Sequence, residues 1–132
     1  MSSLKMPSIN QVTLSGRLVQ DPDYRVLDNG SARLSARIAV NRPYRDRNDS
    51  WQEETSFFDI VLWQRSAEIF ADRLSKGSPV FVTGRLRSHT WRDDRNQPHS
   101  RIEIQVRHLQ ILERNDGQEE GDLSEETERT AA

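Results

Sequence analysis

Five aromatic residues, Tyr44, Trp51, Phe57, Trp63 and Trp91, stand among arginines in otherwise polar stretches. An aromatic bound for a core is normally surrounded by aliphatics. Here the chain reads Arg42-Pro43-Tyr44-Arg45 in one place and Arg87-Ser88-His89-Thr90-Trp91-Arg92 in another. A flat π-face takes a stacked base and a guanidinium takes a phosphate, so this interleaving suits a single-stranded nucleic acid. The cations nearest the rings are the phosphate candidates: Arg42, Arg45, Arg65, Arg85, Arg87 and Arg92. Arg25, Arg33 and Arg101 read instead as a solvated strand face. Phe58 and Phe70 read as core.

Other chemistries find no support in the residues. The chain has no cysteine, which excludes thiolate catalysis, disulfides and Cys-based zinc sites. His89, His99 and His108 have no metal-ligand spacing, and neither a Gly-rich phosphate loop nor a nucleophile elbow occurs. Asp93-Asp94 is flanked by Arg92 and Arg95, so local charge balance is the expected role of that carboxylate pair. A binder is expected rather than an enzyme, without cofactor or metal.

The elements that must position the rings follow from periodicity. Val12, Leu14, Gly16 and Leu18 alternate with polar residues, as in a half-buried strand. Asp21-Pro22 and Asp28-Asn29-Gly30 mark turns. A second strand carries Leu34, Ala36, Ile38 and Val40 on one face. Residues 41–55 are almost wholly polar and read as a long hairpin loop. In the third strand, 56–63, Phe58, Ile60 and Leu62 face the core, and Phe57, Asp59, Val61 and Trp63 face solvent or a ligand. Phe57 and Trp63 lie roughly 20 Å apart along that strand, room for several bases at about 3.3 Å per residue.

Residues 64–75 shift to helical spacing through Ala67, Phe70, Ala71 and Leu74, with Gly77 as the stop. A fourth strand sets Val80, Val82 and Leu86 against Phe81, Thr83, Arg85, Arg87 and Trp91. Gly84 marks a bulge or close bend. Residues 92–99 read as a second hairpin loop. The fifth strand carries Ile102, Ile104 and Val106, then changes phase to Leu109 and Ile111, which predicts another bulge. The order of five antiparallel strands with one helix between the third and fourth predicts an all-β OB-fold barrel over residues 8–113. From 114 to 132 the apolar pattern stops, and a disordered acidic tail is expected.

The net charge of −2 divides unevenly. Residues 114–132 hold seven acids and two arginines, or −5; the preceding 113 hold seventeen basic and fourteen acidic side chains, or +3. Only Lys5 and Lys76 among those basic residues are lysines, and arginine is the better fork for phosphate. No apolar run reaches membrane-span length and the N-terminus has no hydrophobic signal region, so a soluble cytoplasmic protein without a membrane partner is expected.

The chain resembles the bacterial-type single-stranded DNA-binding protein family. The resemblance rests on Asn10-Gln-Val-Thr-Leu-Ser-Gly-Arg-Leu, Gln20-Asp21-Pro22, Asn29-Gly30, Glu54-Thr55, Ala67-Glu68, Lys76-Gly77-Ser78 and Thr90-Trp91 followed by Asp93, spread over residues 8–112. It implies base-stacking positions at Tyr44, Phe57, Trp63 and Trp91, and leaves Trp51 as an extra ring. It also implies a homotetramer that pairs first strands around residues 12–18, and sequence-independent coating of single-stranded DNA in replication, recombination and repair. Members of the family commonly end in an acidic tip with an apolar anchor that recruits repair and replication enzymes. Here residues 125–132 read Glu-Glu-Thr-Glu-Arg-Thr-Ala-Ala, acidic without the anchor, which argues against recruitment by that route. Phe58 and Asp59 replace residues that are usually more basic or polar in the family. The competing expectations are a specialised paralogue with weak DNA binding that acts as an assembly or regulatory subunit, and an RNA-binding OB module.

Overall fold

In the computed structural model, which describes residues 4–112, the first alternating segment becomes β1 (Val12–Leu18). A short exposed strand follows, β2 (Asp23–Val26). β3 (Ala32–Arg45) and β4 (Trp51–Trp63) form one long hairpin, α1 (Gln64–Ala71) comes next, and β5 (Pro79–Arg92) and β6 (Pro98–Ile111) form a second hairpin. The expected acidic tail, and the boundary placed at residue 113, lie outside the described residues.

The sheet runs β1-β5-β6-β4-β3-β2, and β1 turns back to pair with β3 through Arg17↔Ala39 and Leu18↔Ile38. Five strands thus close into a barrel with the one helix between its third and fourth strands, the OB-fold architecture expected. β2 is an addition at the edge of β3, invisible in the hydrophobic pattern because all four of its residues are exposed. Pairing is antiparallel except between β4 and β6, where Ile60↔Ile104 and Val61↔Gln105 run parallel.

The barrel is filled by Leu34, Ala36, Ile38, Ile60, Leu62, Val80, Val82, Ile104 and Leu109. Each large aliphatic buried this way contributes about 1.5–3 kcal/mol. α1 closes on β3 and β4, inserting Ala67 with Phe70 and Ala71 beside it. Two glycines permit the closure. A Cβ on Gly16 would stand 2.4 Å from the Ala39 carbonyl oxygen, where β1 crosses to β3. One on Gly84 would stand 2.1 Å from the Gln105 carbonyl oxygen. The bulge lies there: Thr83 pairs with His108 but Gly84 with Val106, so Arg107 is the extra residue. The bulge keeps Leu109 and Val106 both inward, as the phase change in the sequence required.

Several expectations are corrected. Residues 41–55 are not a loop: the β3–β4 register continues unbroken from Val40↔Ser56 to Arg45↔Trp51, leaving only 46–50 as the turn. The second loop likewise shrinks to 93–97. Polar residues carry these strands because cross-strand hydrogen bonds use the backbone alone. The helix stops at Ala71, with Asp72 as its C-cap, and Gly77 (φ +91°) serves a later turn instead of the helix end. Phe58, Leu86 and Ile102, expected in the core, are 36%, 45% and 63% exposed. They sit where both hairpins run past the barrel, so their inward-pointing face has nothing to meet within the chain.

Candidate nucleic-acid interface

Strand alternation sorts the candidate residues onto faces. Along the unbroken β3–β4 register, Trp51, Phe57, Asp59, Val61 and Trp63 share the outer face with Arg33, Ser35, Arg37 and Arg45. On the other hairpin, Arg85, Arg87, His89 and Trp91 share it with Gln105, Glu103, Arg101 and His99. Because β4 neighbours β6, the two sets make one continuous four-stranded outer face. Tyr44 and Arg42 have the opposite parity and fall on the reverse side of their hairpin, as does Arg92 on the other. Arg65 lies in the first turn of α1, off the strand face. Trp51, first read as an extra, therefore shares a face with Phe57 and Trp63, and Tyr44 does not. Val61, expected to be open to solvent or ligand, is 1% exposed between its register partners Ser35 and Gln105.

Each ring has a guanidinium against it. Arg33 lies 5.7 Å from the Trp63 ring centroid, Arg37 5.2 Å from Phe57, Arg42 5.3 Å from Tyr44, Arg45 5.0 Å from Trp51 and Arg101 5.5 Å from Trp91. Arg33 and Arg101 are thus not idle solvated residues. Their role follows from cross-strand register, such as Arg33↔Trp63, which a single sequence does not display. Arg85 is oriented by two hydrogen bonds donated to Gln105 Oε1, and Arg87 makes no ion pair among the described residues. Arg25, by contrast, only pairs with Asp23 at the exposed edge, as expected.

Two residues of this face went unnoticed in the sequence. His89 and His99 flank Trp91 with stacked rings, each 5.5 Å between centroids, and make a three-ring shelf at the hairpin end. The alternation His89-x-Trp91 was legible; the partner His99 was not, because it arrives from β6. Beside Trp63 a groove of about 1150 Å³ runs past Thr83, Arg85, Gln105 and Arg107 to residues 8–11. Asn10 pins that segment, accepting from the Leu86 N–H and donating to the Leu86 carbonyl, both at 2.8 Å.

The two hairpins close with one and the same turn. Asp46 Oδ1 accepts from the Asn48 and Ser50 amides and its Oδ2 from Gln52; Asp93 Oδ1 accepts from the Arg95 and Gln97 amides and its Oδ2 contacts His99 at 2.7 Å. Asp49 and Asn96 take the left-handed position, each at φ 62°. Asp93 is therefore a turn anchor. The local charge balance expected of it fails, since Arg92 donates to the Asn96 carbonyl. The Ser50 amide chiefly holds the Asp46 carboxyl below its ordinary value of 3.8, and His99 chiefly does the same for Asp93. A depressed folded value means the contribution is present above the ordinary carboxylate range and lost as pH falls through the lower folded value. Acidification below about pH 4 is expected to loosen both turns while the barrel persists. Faster hydrogen exchange at the Ser50 and Gln97 amides than at Val82 would register it.

A family model described as the single-strand binding protein family matches residues 9–112. The chain belongs to that family. Single-stranded DNA-binding protein 2 of Chlorobaculum tepidum is 35% identical over 130 residues, covering 95% of this chain and 88% of that protein. The single-stranded DNA-binding protein of Treponema pallidum is 39% identical over 107 residues, 81% of this chain and 60% of its own length. Among solved structures, the Plasmodium falciparum SSB in complex with ssDNA superposes with a TM-score of 0.73 at 28% identity, covering 83% of this chain and all of that one. These relatives are named as binding proteins, not as enzymes. Among the described residues no group of acids and histidines could hold a metal, and no helix is long and apolar enough to cross a membrane.

Proposed function

We propose that this chain binds single-stranded DNA without sequence readout and protects it during replication, recombination and repair. The observation that carries the reading is the outer face on which Trp51, Phe57, Trp63 and Trp91 alternate with arginines across four adjacent strands. Rings take bases of any identity, and arginines take the backbone. Phe57, Trp63 and Trp91 are the principal stacking residues, with Trp51 extending the track along its hairpin. Arg85 and Arg87 are the principal phosphate contacts. Tyr44, Arg42 and Arg92 serve DNA that passes round the hairpin edges, and Arg45 and Arg65 serve its two ends.

Exposed Phe58, Leu86 and Ile102 support self-association, since apolar residues on the reverse side of both hairpins need a partner. We place the working form as a homotetramer in the cytoplasm. Light scattering is expected to return four 15.3-kDa chains.

A second reading, a paralogue with weak DNA affinity acting as an assembly subunit, is favoured by Asp59 and Glu103 lying within the ring-bearing face. Titration of labelled oligo(dT) separates the two. With about three arginines engaged, affinity is expected to drop about tenfold or more from about 50 to 200 mM salt. Oligo(rU) competing as well as oligo(dT) would favour an RNA module, and no binding at low salt would leave the assembly subunit.

A further inference from the structure

The rings and arginines of this face, and Tyr44 with Arg42 on its reverse side, are already occupied by one another. Four of the five ring-covering arginines are also held by a carboxylate. Glu103 lies 3.7 Å from Arg33, Glu54 3.2 Å from Arg42, Asp49 2.8 Å from Arg45 and Asp59 3.8 Å from Arg101. The same three-part unit of acid, guanidinium and ring therefore recurs at Trp63, Tyr44, Trp51 and Trp91. Only Arg37 over Phe57 lacks a carboxylate partner among the described residues.

The units are built across strands. Arg42 and Glu54 are direct register partners, as are Arg33 and Trp63 and Arg45 and Trp51. Arg101 reaches from β6 both to Asp59 on β4 and to Trp91 on β5. Each acid thus fixes an arginine where it shields a ring, and each unit is locally neutral.

A base reaches such a ring only when the guanidinium moves off it. A phosphate claims that guanidinium only when the carboxylate yields it. We infer that Asp49, Glu54, Asp59 and Glu103 are affinity-setting residues that hold the arginines on the rings, so that DNA enters by exchange at each unit. The carboxylate left behind repels the incoming phosphate, which lowers affinity. Exchange also makes release easy, since each base that leaves is replaced at once by a side chain already tethered beside it. The inference deepens the single-stranded DNA reading and rests on it.

Glu54 is exposed and Asp59 half-buried on the outer face, so both can be changed without emptying the core. Glu54→Gln and Asp59→Asn, singly and together in the full chain, are titrated with fluorescent oligo(dT) at several salt concentrations. Glu68→Gln, on the exposed side of α1, controls for the change in net charge. Each interface substitution is expected to tighten binding about twofold to fivefold at low salt. Each is also expected to steepen the salt dependence by about 0.7 in the log–log slope, the increment for one more phosphate contact on a single strand. Glu68→Gln leaves the slope unchanged. Wild-type binding with both interface variants matching Glu68→Gln overturns the inference alone. Absence of wild-type binding overturns the function reading and the inference together. Should Asp59→Asn fail to fold, Glu54→Gln on the hairpin arm carries the same comparison.

Discussion

Replacing Trp63 and Trp91 together by alanine is expected to lower affinity for single-stranded DNA by about 30-fold at the least. The estimate takes the low end of about 1–3 kcal/mol lost per stacked base. The two rings stand on different hairpins but on one face, so one strand of DNA meets both. They are far enough apart in the sheet for their losses to add approximately. Removing either ring leaves Arg33 on Glu103 and Arg101 on Asp59, ion pairs that loss of the ring does not break. The salt dependence should therefore stay close to that of wild type while the affinity falls, a combination that simple unfolding does not produce. Tyr44→Ala is the informative contrast: its parity puts the ring on the reverse side of the hairpin, and its loss should be smaller than that of Trp91→Ala. Equal losses would mean the hairpin curls round the DNA.

The largest effect on stability is expected from Gly84→Ala. The added Cβ would stand 2.1 Å from the Gln105 carbonyl oxygen and 2.9 Å from its carbonyl carbon. Both atoms are backbone, so no side-chain rotation relieves the clash. The site is the bulge at which β6 changes phase, so a shift there reaches Val106 and Leu109 at once. A loss of about 3 kcal/mol or more is expected, a large share of the roughly 5–15 kcal/mol that holds a domain together. A denaturation midpoint compared with wild type measures it. Binding would fall with folding, because the bulge also sets which side Arg85 and Gln105 face.

Much of this was legible in one sequence, for reasons that particular residues show. Leu34, Ala36, Ile38, Ile60 and Leu62 alternate strictly because one side of their strands is buried. Gly84 and the step from Val106 to Leu109 gave away the bulge. The outward placement of Phe57 and Trp63 followed from that same alternation. What failed did so where burial no longer constrains the residues. Past Val40 and Ser56 the hairpin leaves the barrel, hydrophobic periodicity ends and the strand continues on backbone pairing alone, so 41–55 looked like loop. Leu86 and Ile102 kept the alternation but lost the core behind it. Arg33 and Arg101 were passed over because their significance lies in partners on other strands.

The chain's three tryptophans, Trp51, Trp63 and Trp91, all belong to the ring-bearing face, so their fluorescence reports on it directly. Titration of the wild-type protein with poly(dT) at low salt tests the central claim. Bases stacking on those rings should quench the emission in a saturable way, reversed by added salt and not reproduced by duplex DNA. Unchanged emission across the titration at low salt would contradict the stacking face.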